Sequence, residues 1–113
     1  MLTVETRAAV SPSEARGMDT AALRGAFLAQ GLFQPGEIRL VYTHYDRMIV
    51  GAAVPDGASL VLDRVAEAGT PSILDRREMG VVNVGGPGTV SAGGQDWALD
   101  KGDVLYLPMG SGP

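Results

Sequence analysis

The sequence predicts an all-β fold, a sandwich or small barrel, led in by one short helix. Three observations carry that expectation. Short apolar runs follow one another at regular spacing after residue 31. Most of the 16 Gly and 7 Pro stand in the separators between those runs. Before residue 31 one stretch has helical period and a capping residue. A chain of 113 residues is one domain's worth of sequence and long enough to bury a core.

The helix is expected over residues 20–30. Asp19 or Thr20 offers a side-chain oxygen to the free N–H groups of the first turn. Leu23, Ala26 and Phe27 share one face, and Gly31 is placed as a left-handed stop that lets Leu32 pack back. Gly25 weakens the helix by about 1 kcal/mol relative to Ala, so it needs a surface to lean on. Strands follow at 37–43, 48–54, 59–62, 72–74, 80–84, 88–92, 96–99 and 103–107. Gly93-Gly94 between two runs predicts a two-residue hairpin whose central residues need positive φ. Gly85-Gly86-Pro87-Gly88 lacks the Lys-Ser/Thr and the following helix of a phosphate loop and is expected to turn a barrel corner.

Composition excludes several classes. With 45% hydrophobic and 19% charged residues the chain is no disordered segment. No apolar run approaches about 18 residues, and Glu5 and Arg7 interrupt the place of a secretory leader, so no membrane span or export is expected. Zero Cys removes thiolate metal sites and disulfides and fits a reducing, cytoplasmic setting. A net charge of −4, with Arg76-Arg77 the largest basic cluster, makes nucleic acid a poor partner.

Two stretches resemble the motifs of a cupin, the small barrel of the jelly-roll kind. The first cupin motif carries Gly, a His-x-His pair, a Glu three or four residues on, and a Gly seven after that. The second carries Gly-Asp, a short apolar strand, Pro-x-Gly and a third His. Here Glu78 is followed by the Val81-Val82-Asn83-Val84 strand and Gly85, while Gly102-Asp103 leads through Val104-Leu105-Tyr106-Leu107 to Pro108-Met109-Gly110. Glycines permit corners and Pro108 ends a strand by lacking an N–H. The motif places its three imidazoles at Ser72, Leu74 and Pro113, none of which can supply one. A metal of this type needs three or four N/O ligands at about 2.0–2.2 Å. The one His, His44, lies in another strand region, so no metal centre is expected within the chain.

Longer strings are more specific. Leu40-Val41-Tyr42-Thr43-His44-Tyr45-Asp46-Arg47-Met48-Ile49-Val50-Gly51 and Leu74-Asp75-Arg76-Arg77-Glu78-Met79-Gly80-Val81-Val82-Asn83-Val84-Gly85-Gly86-Pro87-Gly88 resemble the N-terminal half of the 5-keto-4-deoxyuronate isomerase family. Leu23-Arg24-Gly25-Ala26-Phe27-Leu28 ahead of Phe33 fits the same resemblance, which runs over about residues 1–110. It implies a two-cupin, hexamer-forming isomerase of pectin and uronate breakdown acting on a small acidic sugar. It also implies zinc held by three His and one Glu in the C-terminal cupin. Residues 1–34 are then an N-terminal segment whose helix packs on the barrel, and 35–113 a truncated first cupin. The chain is expected to be the front part of a longer protein, because its last run ends on a turn with no strand to cover it, the alternative being a complete domain with a frayed tail. It is expected to be inactive alone because the half to which the resemblance gives the zinc is missing. The alternatives are a relative of 5-deoxyglucuronate isomerase and a metal-free cupin that binds a sugar acid or mediates assembly.

Two charged clusters are the candidate site residues. His44, Asp46 and Arg47 form either a substrate or interface cluster or a surface turn whose exposed ion pair is worth ~0–1 kcal/mol. Arg76, Arg77 and Glu78 form either a carboxylate-binding edge or subunit contact, since Arg suits a carboxylate, or a solvated strand edge. Trp97 and Tyr106 are expected as core or interface anchors.

Overall fold

The computed structural model describes residues 1–113, which form two compact units, Met1–Leu60 and Val61–Pro113. No helix is long and apolar enough to cross a membrane.

The first unit runs β1 (Leu2–Arg7), α1 (Pro12–Arg16), α2 (Thr20–Phe27), β2 (Ile38–Thr43) and β3 (Ile49–Ala53). Its sheet has the order β1-β2-β3. β2 is apolar and rich in β-branched and aromatic residues, and it takes the central place, with Ile38, Leu40, Val41 and Tyr42 all buried. β3 returns antiparallel, pairing Tyr42 with Ile49. β1 pairs parallel with β2, Leu2 opposite Ile38 and Arg7 opposite Thr43. Parallel neighbours need a long crossover, and the two helices lie in that connection.

β1 was absent from the strands expected above, although Leu2, Val4 and Thr6 alternate with polar residues. Its partner lies far along the chain, and local pattern carries no signal for that pairing. α1 was also not expected. Its signature is Ser11-Pro12-Ser13-Glu14: the Glu14 N–H donates to Ser11 Oγ, the Ser11 N–H donates to Glu14 Oε1, and Pro12 occupies the first turn. α2 starts as expected, with Asp19 Oδ1 accepting from the Ala22 N–H at 2.8 Å. It stops at Phe27, short of residue 30. Leu28 turns extended, with φ −99 and ψ 121, and its carbonyl accepts from Arg7 Nη1. A bond from β1 thus takes the carbonyl that further helix would have used.

The second unit holds 3-10 turns at Ala66–Ala68 and Ile73–Asp75, then β4 (Met79–Val82), β5 (Gly88–Ala92), β6 (Gln95–Leu99) and β7 (Val104–Leu107). β4 pairs antiparallel with β7, and the β5–β6 hairpin is inserted between them in sequence. Gly93 (φ 58) and Gly94 (φ 80) form the hairpin turn as expected. Two expected strands do not exist. Residues 59–62 are irregular, and 72–74 fall on a 3-10 turn in which the Ser72 N–H donates to Asp75 Oδ2 at 2.9 Å. Gly69 and Pro71 stand just ahead of 72–74, and the reciprocal Ser72–Asp75 capping box closes the turn in place of a ladder. Asn83 ties the unit together: its Nδ2 donates to Leu99 O at 2.9 Å and Gly86 O at 3.0 Å, and its carbonyl accepts from the Gly102 N–H.

Buried side chains of this unit are Val65, Ile73, Leu74, Ala92, Leu99 and Leu107. The molecule is mostly strand with few helices, which agrees with a small all-β fold. None of its sheets closes on itself.

Candidate functional site

His44, Asp46 and Arg47 sit at and beside the tip of the β2–β3 hairpin. The Met48 N–H donates to Tyr45 O at 3.1 Å, closing a four-residue turn. Its central residues are Asp46 (φ 53) and Arg47 (φ 55), both left-handed. That is the backbone of a primed hairpin turn, which strands of normal twist favour and which Asn-Gly usually supplies. A side chain in this region costs about 1–2 kcal/mol. Thr43 holds the turn from below, donating from Oγ1 to Met48 O at 2.8 Å. The His44 N–H donates to Arg7 O, and its ring lies 5.4 Å from that of Tyr42, tilted by 57°. His44, Asp46 and Arg47 are all exposed.

Beneath α2 lies a cavity of about 220 Å³ that the sequence did not announce. Phe27, Val41, Thr43, Tyr45 and Val50 line it, with Arg7 at the wall. The Phe27 and Tyr45 rings are 5.9 Å apart. Arg7 is committed to Glu5 Oε1 at 2.9 Å and to Leu28 O, and Tyr45 Oη accepts from the Val10 N–H. The polar groups around the cavity are therefore engaged, and the space suits a small apolar group better than a reacting one.

Arg76, Arg77 and Glu78 belong to the other compact unit, where they lead from the Ile73–Asp75 turn into β4. Arg76 is exposed and Arg77 half-buried. Glu78 reaches across the sheet: its Oε2 accepts from Tyr106 Oη at 2.6 Å. Tyr106 lies opposite Gly80, so Glu78 and Tyr106 are diagonal neighbours on one face. Tyr106 is 59% exposed, so of the core or interface anchor that the sequence suggested, the core position is excluded. The hydrogen bond to Glu78, then burial and the nearby negative charge, push its phenol above the usual 10.0. Spacing along the chain gives no hint of a bond between residues 78 and 106. The register of β4 against β7 creates it.

No family model matches the chain. Curated relatives do. The chain is 68% identical over 113 residues to the 4-deoxy-L-threo-5-hexosulose-uronate ketol-isomerase of Cereibacter sphaeroides, covering all of this chain and 41% of that protein. Against the enzyme of the same name from Agrobacterium fabrum it is 62% identical over 111 residues, 98% of this chain and 40% of the relative. Against ketol-isomerase 1 of that name from Bacteroides thetaiotaomicron it is 47% identical over 106 residues, 94% and 38%. Each match is to a protein of one name, and each runs along nearly the whole of this chain. The chain spans about 40% of the length of the relatives it matches, and corresponds to their N-terminal part.

Within this chain no three His, Asp or Glu side chains converge to hold a metal ion. The positions where a cupin motif would place imidazoles carry Ser72, which caps the Ile73–Asp75 turn, the buried Leu74, and Pro113. A hydroxyl, an isobutyl group and a pyrrolidine do not make a zinc donor set. The chemistry available here is that of one phenol–carboxylate pair and a strained, charged hairpin tip.

Proposed function

We propose that this chain is the N-terminal cupin of a two-cupin ketol-isomerase, and that it serves there as scaffold and substrate wall rather than as the reaction centre. The reaction would interconvert a 5-keto-4-deoxyuronate and a 2,5-diketo-3-deoxygluconate in pectin or uronate breakdown. The observation that carries this reading is identity of 68% along the whole chain to a protein named for a ketol isomerisation. The names of the relatives favour it over a 5-deoxyglucuronate isomerase.

Such an isomerisation moves a proton between neighbouring carbons, so it needs a base and a group that polarises a carbonyl. The donor set for a metal does not fit the residues of this chain, and no step is assigned to one here. Zinc would belong to the C-terminal cupin that the family resemblance implies. The zero Cys count agrees with a cytoplasmic enzyme. Exposed apolar side chains such as Phe33, Met48 and Met109 agree with assembly into a homo-oligomer, a hexamer by resemblance. The exposed Glu78–Tyr106 pair favours, as a second reading, a metal-free module that binds a sugar acid.

The test compares the purified 113-residue chain with a protein extended to the relatives' length. Elemental analysis of the short chain is expected to find no stoichiometric zinc, and an assay with the ketouronate no turnover, while the extended protein shows both. One tightly held zinc per short chain, or turnover by it, overturns the reading. An extended protein that folds, stays metal-free and binds the sugar acid without converting it favours the module.

A further inference from the structure

The outer face of the β4–β7 ladder presents Glu78, Gly80 and Val82 on one strand and Val104 and Tyr106 on the other, by the alternation of side chains along paired strands. The opposite face carries Leu107, which is 4% exposed. On the outer face Val82 is 57% exposed and Val104 67%. A solvated sheet face is normally polar. This one is apolar except for a single hydrogen-bonded acid and phenol.

Gly80 gives the face its relief. It stands directly across from Tyr106, and a Cβ built on it meets nothing within 4 Å. The space over Gly80 beside the phenol is therefore open, with Glu78 on one side along the strand and Val82 on the other. Ionised Glu78 offers acceptors only, about four lone-pair sites, of which the phenol uses one. The phenol oxygen, donating its O–H to Glu78, keeps acceptor capacity. Such a site takes a ligand that donates several hydroxyl hydrogens along one edge and lays apolar C–H surface against an aromatic ring and two valines. A bare carboxylate would be repelled by Glu78. A metal would lack further ligands, since no other acid or imidazole joins the group.

We propose that Glu78 and Tyr106 form a binding subsite for the hydroxylated end of a sugar-type ligand, with the ligand's own acid group directed away from Glu78. The choice of a sugar as ligand rests on the isomerase reading above. The geometry of the subsite does not. In that setting the two residues are binding and positioning groups, deciding which end of an acidic sugar lies over β4–β7.

The experiment uses the full 113-residue chain with NMR detection of the Tyr106 ring. D-glucose is the neutral probe, D-glucuronate the acidic one and methylammonium the cationic one. Saturable shifts of the Tyr106 resonances with glucose are expected, with Kd on the order of millimolar for so open a site. Glucuronate is expected to bind no tighter than glucose. Glu78→Gln should weaken glucose binding roughly tenfold, the effect of losing a charge-assisted bond, and Tyr106→Phe should weaken it less. Both side chains are exposed, and an amide spectrum verifies that the variants keep the fold. Tyr106 signals that stay still at high glucose in the unmodified chain overturn the proposal. So does equal glucose binding by Glu78→Gln, or a response to methylammonium stronger than to glucose. These readouts involve neither zinc nor turnover. Their failure leaves the isomerase reading standing, and turnover by the short chain would sink that reading without touching them.

Discussion

The two tight hairpins of the molecule have the same backbone and opposite chemistry. In β5–β6 the left-handed pair is Gly93 and Gly94, with φ 58 and 80. In β2–β3 it is Asp46 and Arg47, with φ 53 and 55. Glycine adopts this conformation without penalty, while a side chain resists it. The glycine turn therefore forms by itself, and the charged turn is imposed by its surroundings. Thr43 Oγ1 on Met48 O and the ladder between β2 and β3 supply that constraint. Strained non-glycine turns persist where neighbouring structure over-determines them, which is why the tip bearing His44, Asp46 and Arg47 stays a candidate contact region.

The largest expected effect is at Gly93. A Cβ there would lie 2.9 Å from Ser111 O, a backbone atom, at a left-handed φ. Gly93→Ala should lower the free energy of denaturant unfolding by about 2 kcal/mol. Gly94→Ala meets open space at a similar φ, and should lose only about 1 kcal/mol. Equal losses at the two sites would show that the approach of Ser111 is unimportant. Thr43→Val keeps the shape and removes the hydroxyl, so a loss of about 1 kcal/mol is expected, read as a lower denaturation midpoint. Asp46→Gly acts in the other direction. Relief of the left-handed side chain outweighs the added chain entropy, and a gain of about 0.5–1 kcal/mol is expected. A loss instead would mean that the Asp46 side chain holds the turn.

The smallest effect is a titration. The Tyr106 phenol is raised above 10.0, first by its bond to Glu78. A group with a raised folded value adds stability that is complete below its unfolded value and disappears as pH climbs through the folded one. The contribution of this pair is therefore present at neutral pH and lost only in alkali. Glu78→Ala should bring the Tyr106 midpoint back toward 10.0, followed through its ring resonances. An unmoved midpoint would mean that the bond to Glu78 is not formed in solution.

Much of the fold was legible where local chemistry decides. Asp19 capping α2, the Gly93-Gly94 turn and the runs that became β2 through β7 all follow from residues near one another. Long-range pairing was hidden. β1 depends on β2, and the early end of α2 depends on Arg7 taking the Leu28 carbonyl. The Ser11 capping box was readable and was missed, because no apolar stripe follows it. In the site, Glu78 was visible as a charged residue at a strand start. Its bond to Tyr106 was not, because only the register of two strands separated by a whole hairpin sets it. Asp46 and Arg47 were offered as a surface turn, but its left-handed backbone was not foreseen, since neither is glycine.

The parallel β1–β2 ladder also has a consequence for synthesis. Leu2 must wait for Ile38, and Arg7 for Thr43, before either can bond. While the ribosome makes the intervening stretch, the first strand has no partner, though the Ser11 and Asp19 caps can already hold their short helices. Pairings this distant along the chain form slowly. β1 is thus made well before its partner and is among the later parts of its sheet to be locked in, a window in which a passing chaperone or a stray β-edge could capture it.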